Sequence, residues 1–253
     1  MNTSAENAHA RSIAGIAAPR WLRIGFWVCT AIAVAAVIRR IFALALPSSS
    51  GPPQLAELNR IFAFHAALTL AHIIPALAFV LIAPFAVFHR FSGLRWPERW
   101  LFPVGAIVGI TAYAMSVYAI GGWIERSAVL FYNTLYLFSL GRAWQYKVRG
   151  QPLLKRRWLL RAIAVLLGIA TTRPVMGVFF ATSRITHLGP HQFFGLAFWI
   201  GFSINWITIE SWLRFTVGRS LERSRESISR FNSPGWFNWL LPRLRSWRSD
   251  QRR

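Results

Sequence analysis

IFAFHAALTLAHIIPALAFVLIAPFAV, residues 61–87, runs for 27 residues without one Lys, Arg, Asp or Glu. About 20 apolar residues carry a helix across the hydrocarbon core of a bilayer, so this stretch spans even when tilted. A helix satisfies its own backbone groups, which is what lipid demands of any segment that crosses it. Pro75 and Pro84 are sites for a kink rather than an end. Comparable apolar blocks occupy about 21–46, 101–120, 126–141, 159–180 and 191–213. The fourth block is the least apolar, with Tyr132, Asn133 and Tyr136. Six blocks predict an all-α, polytopic transmembrane helix bundle of six spans.

Composition agrees. The chain is 55% hydrophobic and only 15% charged, against roughly 25% charged in soluble domains. The net charge of +21 would suggest nucleic acid in a soluble protein. Here the charge lies between the apolar blocks and in the tail, with no recognition motif beside it. That is the positive-inside pattern, with attraction to anionic lipid added.

The charge also orients the chain. Segments 88–99 and 142–158 are basic, and residues 214–253 hold ten Arg against Glu222, Glu226 and Asp250. Segments 47–60, 121–126 and 181–190 have one Arg each, and the two sets alternate. Both termini are therefore expected in the cytoplasm, and the protein in the cell (inner) membrane as a multipass protein. Residues 1–20 read as a cytoplasmic stub, 21–213 as the membrane domain and 214–253 as a basic tail. In that tail Trp236 to Leu241, followed by Arg243, Arg245 and Arg248, suits a segment lying in the interface. Ala43-Leu44-Ala45 resembles a signal-peptide cleavage site, but Arg39 and Arg40 interrupt the apolar run before it, so the first span is expected to stay. Pro47 to Pro53 reads as a turn, as does Gly121-Gly122.

Two stretches resemble the bacterial membrane family catalogued as domain of unknown function 2306. HIIPALAFVLIAPFAVF, residues 72–88, is similar to a motif in which a His opens an apolar stretch ending in Gly-Pro-x-x-Phe; Ala83 stands for the Gly and Pro84 at the Pro. KRRWLLRAIAVLLGIATTR, residues 155–173, is similar to His-Arg-Arg-Trp-Met-x-Arg with a further Arg twelve residues on, matched by Arg156, Arg157, Trp158, Arg161 and Arg173. The resemblance covers roughly residues 60–215 and implies a multipass membrane protein without an established activity. Two family histidines are replaced: Lys155 stands for one, and Glu98-Arg99-Trp100-Leu101-Phe102 stands where the family has His-Arg-x-x-Gly.

Polar residues at membrane depth are costly and each needs a partner or a purpose. His72 falls mid-span, and His65 two turns outward on nearly the same face. Arg39, Arg40, Arg173, His187 and His191 fall in the outer half. Glu57 and Glu125 lie only at the edge of that layer. Pro174, after Thr171-Thr172-Arg173, frees a carbonyl near the Arg. One functional reading is a pocket of Arg173, Arg39, Arg40, His65 and His72 holding an anionic or quinone-like lipophilic ligand, since guanidinium binds carboxylate or phosphate in two places. A second is a b-type haem on His72 (or His65) and His191, making a membrane oxidoreductase. A third is purely structural: interhelical hydrogen bonds and Arg side chains that snorkel to the interface.

Other residues read more plainly. Arg156, Arg157, Trp158 and Arg161 sit where the fifth span meets the cytoplasm and anchor it to lipid headgroups. Glu210 faces Arg214 at i,i+4. Ser203 and Asn205 suit interhelical hydrogen bonds. Cys29, the only cysteine, reads as a small hydrophobe and rules out an intramolecular disulfide. There is no GxxxxGK[ST], HExxH or GxSxG motif and no zinc-ligand spacing. No acidic pair is placed for a mid-membrane proton relay.

Overall fold

The computed structural model describes residues 18–45, 62–87, 96–187 and 189–232. The N-terminal stub, the 47–60 connection, residues 88–95 and the Trp236–Leu241 segment lie outside the described residues, as does the side chain of His191. Six long helices follow one another: α1 (Arg20–Ala45), α2 (Ala66–Val87), α3 (Trp96–Ser116), α4 (Gly122–Val148), α5 (Pro152–Thr186) and α6 (Pro190–Asn232). No strand occurs among the described residues. Each apolar block of the sequence became one helix.

Four stretches are long and apolar enough to cross a membrane: Arg20–Ala45, Ala66–Ala86, Pro152–Thr182 and Gln192–Thr216. At 21 and 27 residues, α3 and α4 are long enough but less apolar. The first turn of α3 is Trp96-Pro97-Glu98-Arg99, and α4 carries Glu125, Arg126, Asn133, Arg142 and Lys147. Large apolar side chains face outward along the bundle, among them Trp27, Phe42, Ile74, Ile110 and Phe138. An outer surface of this kind is compatible with a lipid surround.

The structure differs from the sequence reading at several helix ends, and α6 runs on to Asn232, past the expected end at 213. Residues 142–158 were expected as a basic connection, yet α4 runs to Val148 and α5 starts at Pro152. The helix survives there because Arg and Lys are good helix formers and Pro is at home in a first turn. Gly150 makes the reversal at φ +66, a conformation open to glycine. Its N–H donates to Lys147 O and that of Gln151 to Tyr146 O, closing the last turn of α4 as a Schellman motif. At the other end, α2 starts at Ala66 rather than 61, after a break at His65.

Helix α3 packs on α2 and α4, α4 also on α5, and α1 on α2 and α5. Gly105 and Gly109 let α3 approach closely: a Cβ at Gly105 would lie 2.8 Å from both Phe79 and the Tyr136 hydroxyl. Across that contact Tyr136 donates to Gly105 O at 3.0 Å, and Asn133 Nδ2 donates to Gly109 O at 2.8 Å. Small residues and backbone-directed hydrogen bonds are how helices associate where there is no hydrophobic drive between them. Between α5 and α6, Thr171 donates to Asn205 Oδ1 at 2.8 Å, and Asn205 Nδ2 donates to Ala164 O at 3.2 Å. Cys29 packs against the core and touches Thr171. The chain divides into two units. Ala17–Ser211 carries everything described below. In the other unit α6 continues from Trp212, where Thr216 bonds its own backbone at Leu213 O.

Candidate functional site

A cavity of about 240 Å³ lies within the larger unit, and all six helices line it. Helical spacing selects the faces. Ala33, Ala36, Val37 and Arg40 share one stripe of α1, at i, i+3, i+4 and i+7. Thr69, His72, Ile73, Ala76 and Val80 do the same on α2. Phe194, Phe198 and Phe202 repeat every four residues down α6. Val165, Ile169 and Arg173 come from α5, and Glu125, Tyr132, Asn133 and Tyr136 from α4. The walls are apolar with a few convergent polar groups, which is the usual make-up of a small-molecule site.

Three of the residues chosen from the sequence meet here: Arg40, His72 and Arg173. Arg39 is exposed and off the wall, though it remains in electrostatic contact with Arg40 and Arg173. His65 is also off the wall; its ring lies on Tyr118 at 3.8 Å between centroids, and Tyr118 borders the cavity. Whether His191 faces His72 falls outside the described side chains. Arg156, Arg157, Trp158 and Arg161 are not part of the lining.

His72 is tied to α3. Its Nδ1 lies 3.0 Å from Thr111 Oγ1. Thr111 directs its single hydroxyl proton at the carbonyls of Ile107 and Val108, at 2.8 and 3.0 Å. The His72 ring also hydrogen-bonds the Val108 backbone, so α3 holds it at two points. His72 borders the cavity.

Charge gathers around the same volume. The Arg40 guanidinium sits 3.9 Å above the Phe62 ring. Arg173 has no hydrogen bond or ion pair to a described residue, and interacts at longer range with Arg39, Arg40 and Glu125. Glu125 is the residue that sequence reasoning left at the edge. It is 8% exposed, and its Oε2 accepts from Gly121 N–H at 2.6 Å. That places it in the first turn of α4, where the helix N-terminus favours a carboxylate. Two guanidinium groups and one carboxylate leave the lining cationic.

Thr111, Asn133 and Tyr136 were also missed as parts of the site. Gly105-x-x-x-Gly109 inside an apolar block was the available signal, because it marks the face of α3 that another helix approaches.

A second charged cluster lies on other faces. Lys155 Nζ and Glu98 Oε1 are 2.8 Å apart, with Lys147 at 3.8 Å from the same oxygen. Arg161 pairs with Glu210 at 2.9 Å and lies 4.6 Å from the Trp158 ring centroid. Trp158 is half-buried against Phe138 and Arg142 as well. Ser203 bonds the Tyr132 hydroxyl at 2.7 Å. Among the described residues no three potential metal-ligating side chains cluster.

Fold and site thus define an all-helical chain with several apolar helices, compatible with a membrane protein, around a polar-headed cavity. No protein-family model, no curated protein and no solved structure matches it.

Proposed function

We propose that this chain is a six-span protein of the cell (inner) membrane with both termini in the cytoplasm. Its function is to bind a lipophilic ligand that carries an anionic or hydrogen-bonding head. The observation that carries this reading is the meeting of Arg40, Arg173 and His72 on otherwise apolar walls. Guanidinium groups at membrane depth beside apolar walls are costly, and an anionic ligand offsets the cost. The positive-inside distribution supports the orientation, which puts the Arg40–Arg173 end of the cavity in the outer half of the membrane. The basic opposite face, with Arg156 and Arg157, is the side that meets anionic headgroups.

The test is native mass spectrometry of the detergent-purified protein. A small lipophilic acid or similar molecule is expected on the wild type and absent from Arg173→Ala. A wild type that carries nothing but detergent and bulk phospholipid would leave a structural role as the better account.

Haem b is a second reading, favoured by one feature. A His whose Nδ1 is hydrogen-bonded to a side chain of a neighbouring helix has the form of a metal ligand. The cavity volume counts against a macrocycle, since even drug-sized ligands occupy roughly 300 Å³ or more. A Soret band lost in His72→Ala would reinstate haem.

Kinship with the domain of unknown function 2306 family is likewise a proposal. Its support is that the two departures from the family's histidines, Glu98 and Lys155, face each other as an ion pair.

A further inference from the structure

We infer that the cavity's ligand is a monocyclic aromatic acid bearing a ring hydroxyl; this rests on the proposal above that the cavity binds a ligand. Size comes first. A dry cavity of roughly 150 Å³ holds benzene, so about 240 Å³ takes one substituted ring. Shape agrees. Phe194, Phe198 and Phe202 form a continuous aromatic strip, with successive ring centroids 6.0 and 5.9 Å apart. Ala33 and Ala36 of α1 also border the cavity and leave room for a flat molecule. Aromatic rings favour offset or edge contacts with such a strip over the contacts an alkyl chain makes.

The polar groups then set the substituents. Arg173 and Arg40 call for an anionic oxygen group, and a carboxylate meets a guanidinium in two places. His72, held on α3 through Thr111 and Val108, offers a ring nitrogen that donates or accepts according to its tautomer. A hydroxyl both donates and accepts, and so meets His72 in either state. An oxidised quinone has two carbonyls and no anionic group, and so leaves the guanidinium groups without an anion. A phenolic hydroxyl together with a carboxylate satisfies both ends.

The experiment is equilibrium binding to the full chain in detergent, by isothermal titration calorimetry. The probes are 3- and 4-hydroxybenzoate, benzoate, octanoate and 2,3-dimethoxy-5-methylhydroquinone. One hydroxybenzoate is expected to bind about tenfold tighter than benzoate, the worth of one buried hydrogen bond. In His72→Phe that preference should vanish while benzoate affinity stays. In His72→Gln, which keeps an acceptor oxygen, part of the preference should return. Size-exclusion profiles of both variants separate lost recognition from lost folding. Octanoate or the hydroquinone binding tightest, or a hydroxyl preference that survives in His72→Phe, would overturn this ligand class and leave the wider binding proposal standing. Failure of every probe to bind would overturn both.

Discussion

Lys155 of α5 holds Glu98 of α3 at 2.8 Å, and Lys147 of α4 approaches the same carboxylate oxygen at 3.8 Å. One acid thus ties together three helices at the end of the bundle that carries the α4–α5 turn. The Lys155 and Glu98 side chains keep 22% and 28% of their surface exposed. Partial exposure limits the worth of such a pair to about 0.2–1 kcal/mol. A double-mutant cycle with Glu98→Gln and Lys155→Met, read by thermal unfolding, should give a coupling within that range. Glu98→Gln alone should cost more, because it leaves two lysines facing each other. Additive effects of the two substitutions would show that the pair carries no coupling.

The α3–α4 contact makes a sharper prediction. Tyr136 is 2% exposed and donates to Gly105 O. Tyr136→Phe keeps the ring and removes only the donor. Interhelical hydrogen bonds in membranes average about 0.6 kcal/mol and reach roughly 1.7, so the loss should fall between those values. Gly105→Leu should be far worse, since even a Cβ there lies 2.8 Å from Phe79. Comparing the two by unfolding in detergent checks that close approach, and not the hydrogen bond, dominates.

Arg173 separates a binding role from a structural one. Arg173 has no close partner among the described residues, and at the membrane depth proposed for it a guanidinium destabilises the ligand-free protein. Arg173→Met is expected to raise the apparent Tm by about 2–4 °C, the shift that ~1 kcal/mol gives a chain of this size, while ligand retention is lost. Sites often trade stability for function in this way. If Arg173 were a structural strut, the same substitution would lower the Tm.

Orientation is testable with the chain's single cysteine removed. In a Cys29→Ser background, Trp123→Cys stands at a side chain that is 71% exposed near the α3–α4 turn. Arg149→Cys stands in the α4–α5 turn. A membrane-impermeant maleimide applied to intact cells stripped of any outer barrier should label the first and not the second until the membrane is opened. The reverse pattern would invert the topology.

Much of the bundle could be read from apolar block length alone, because lipid forces a spanning segment to satisfy its own backbone. Helix existence was legible for that reason; helix ends were not. Arg142 and Lys147 look like loop residues by charge, yet Lys147 lies about 5 Å from the Phe102 and Trp144 rings within a continuing helix. The site was legible as far as single residues announce their cost: Arg40, His72 and Arg173 are conspicuous in apolar surroundings. Glu125 was not, because its depth depends on where the α3–α4 turn lies rather than on its own neighbours. Similarly, His65 and His72 share a helical face only if the helix is unbroken, and the break at His65 sends that ring to Tyr118 instead. Which helices face each other cannot be read from local periodicity at all, so Thr111 could not be matched to His72.

The central claim is that the charges bordering the cavity select an anionic ligand. It is tested most directly by the affinity of one anionic probe, benzoate, for the wild type, Arg173→Met and Glu125→Gln. Removing a cation should weaken binding at least tenfold, and removing the carboxylate should strengthen it severalfold, following the loss and gain of charge attraction at a partly buried site. The account predicts the order Glu125→Gln, then wild type, then Arg173→Met. Equal affinities across the three folded proteins, or the reverse order, would contradict it.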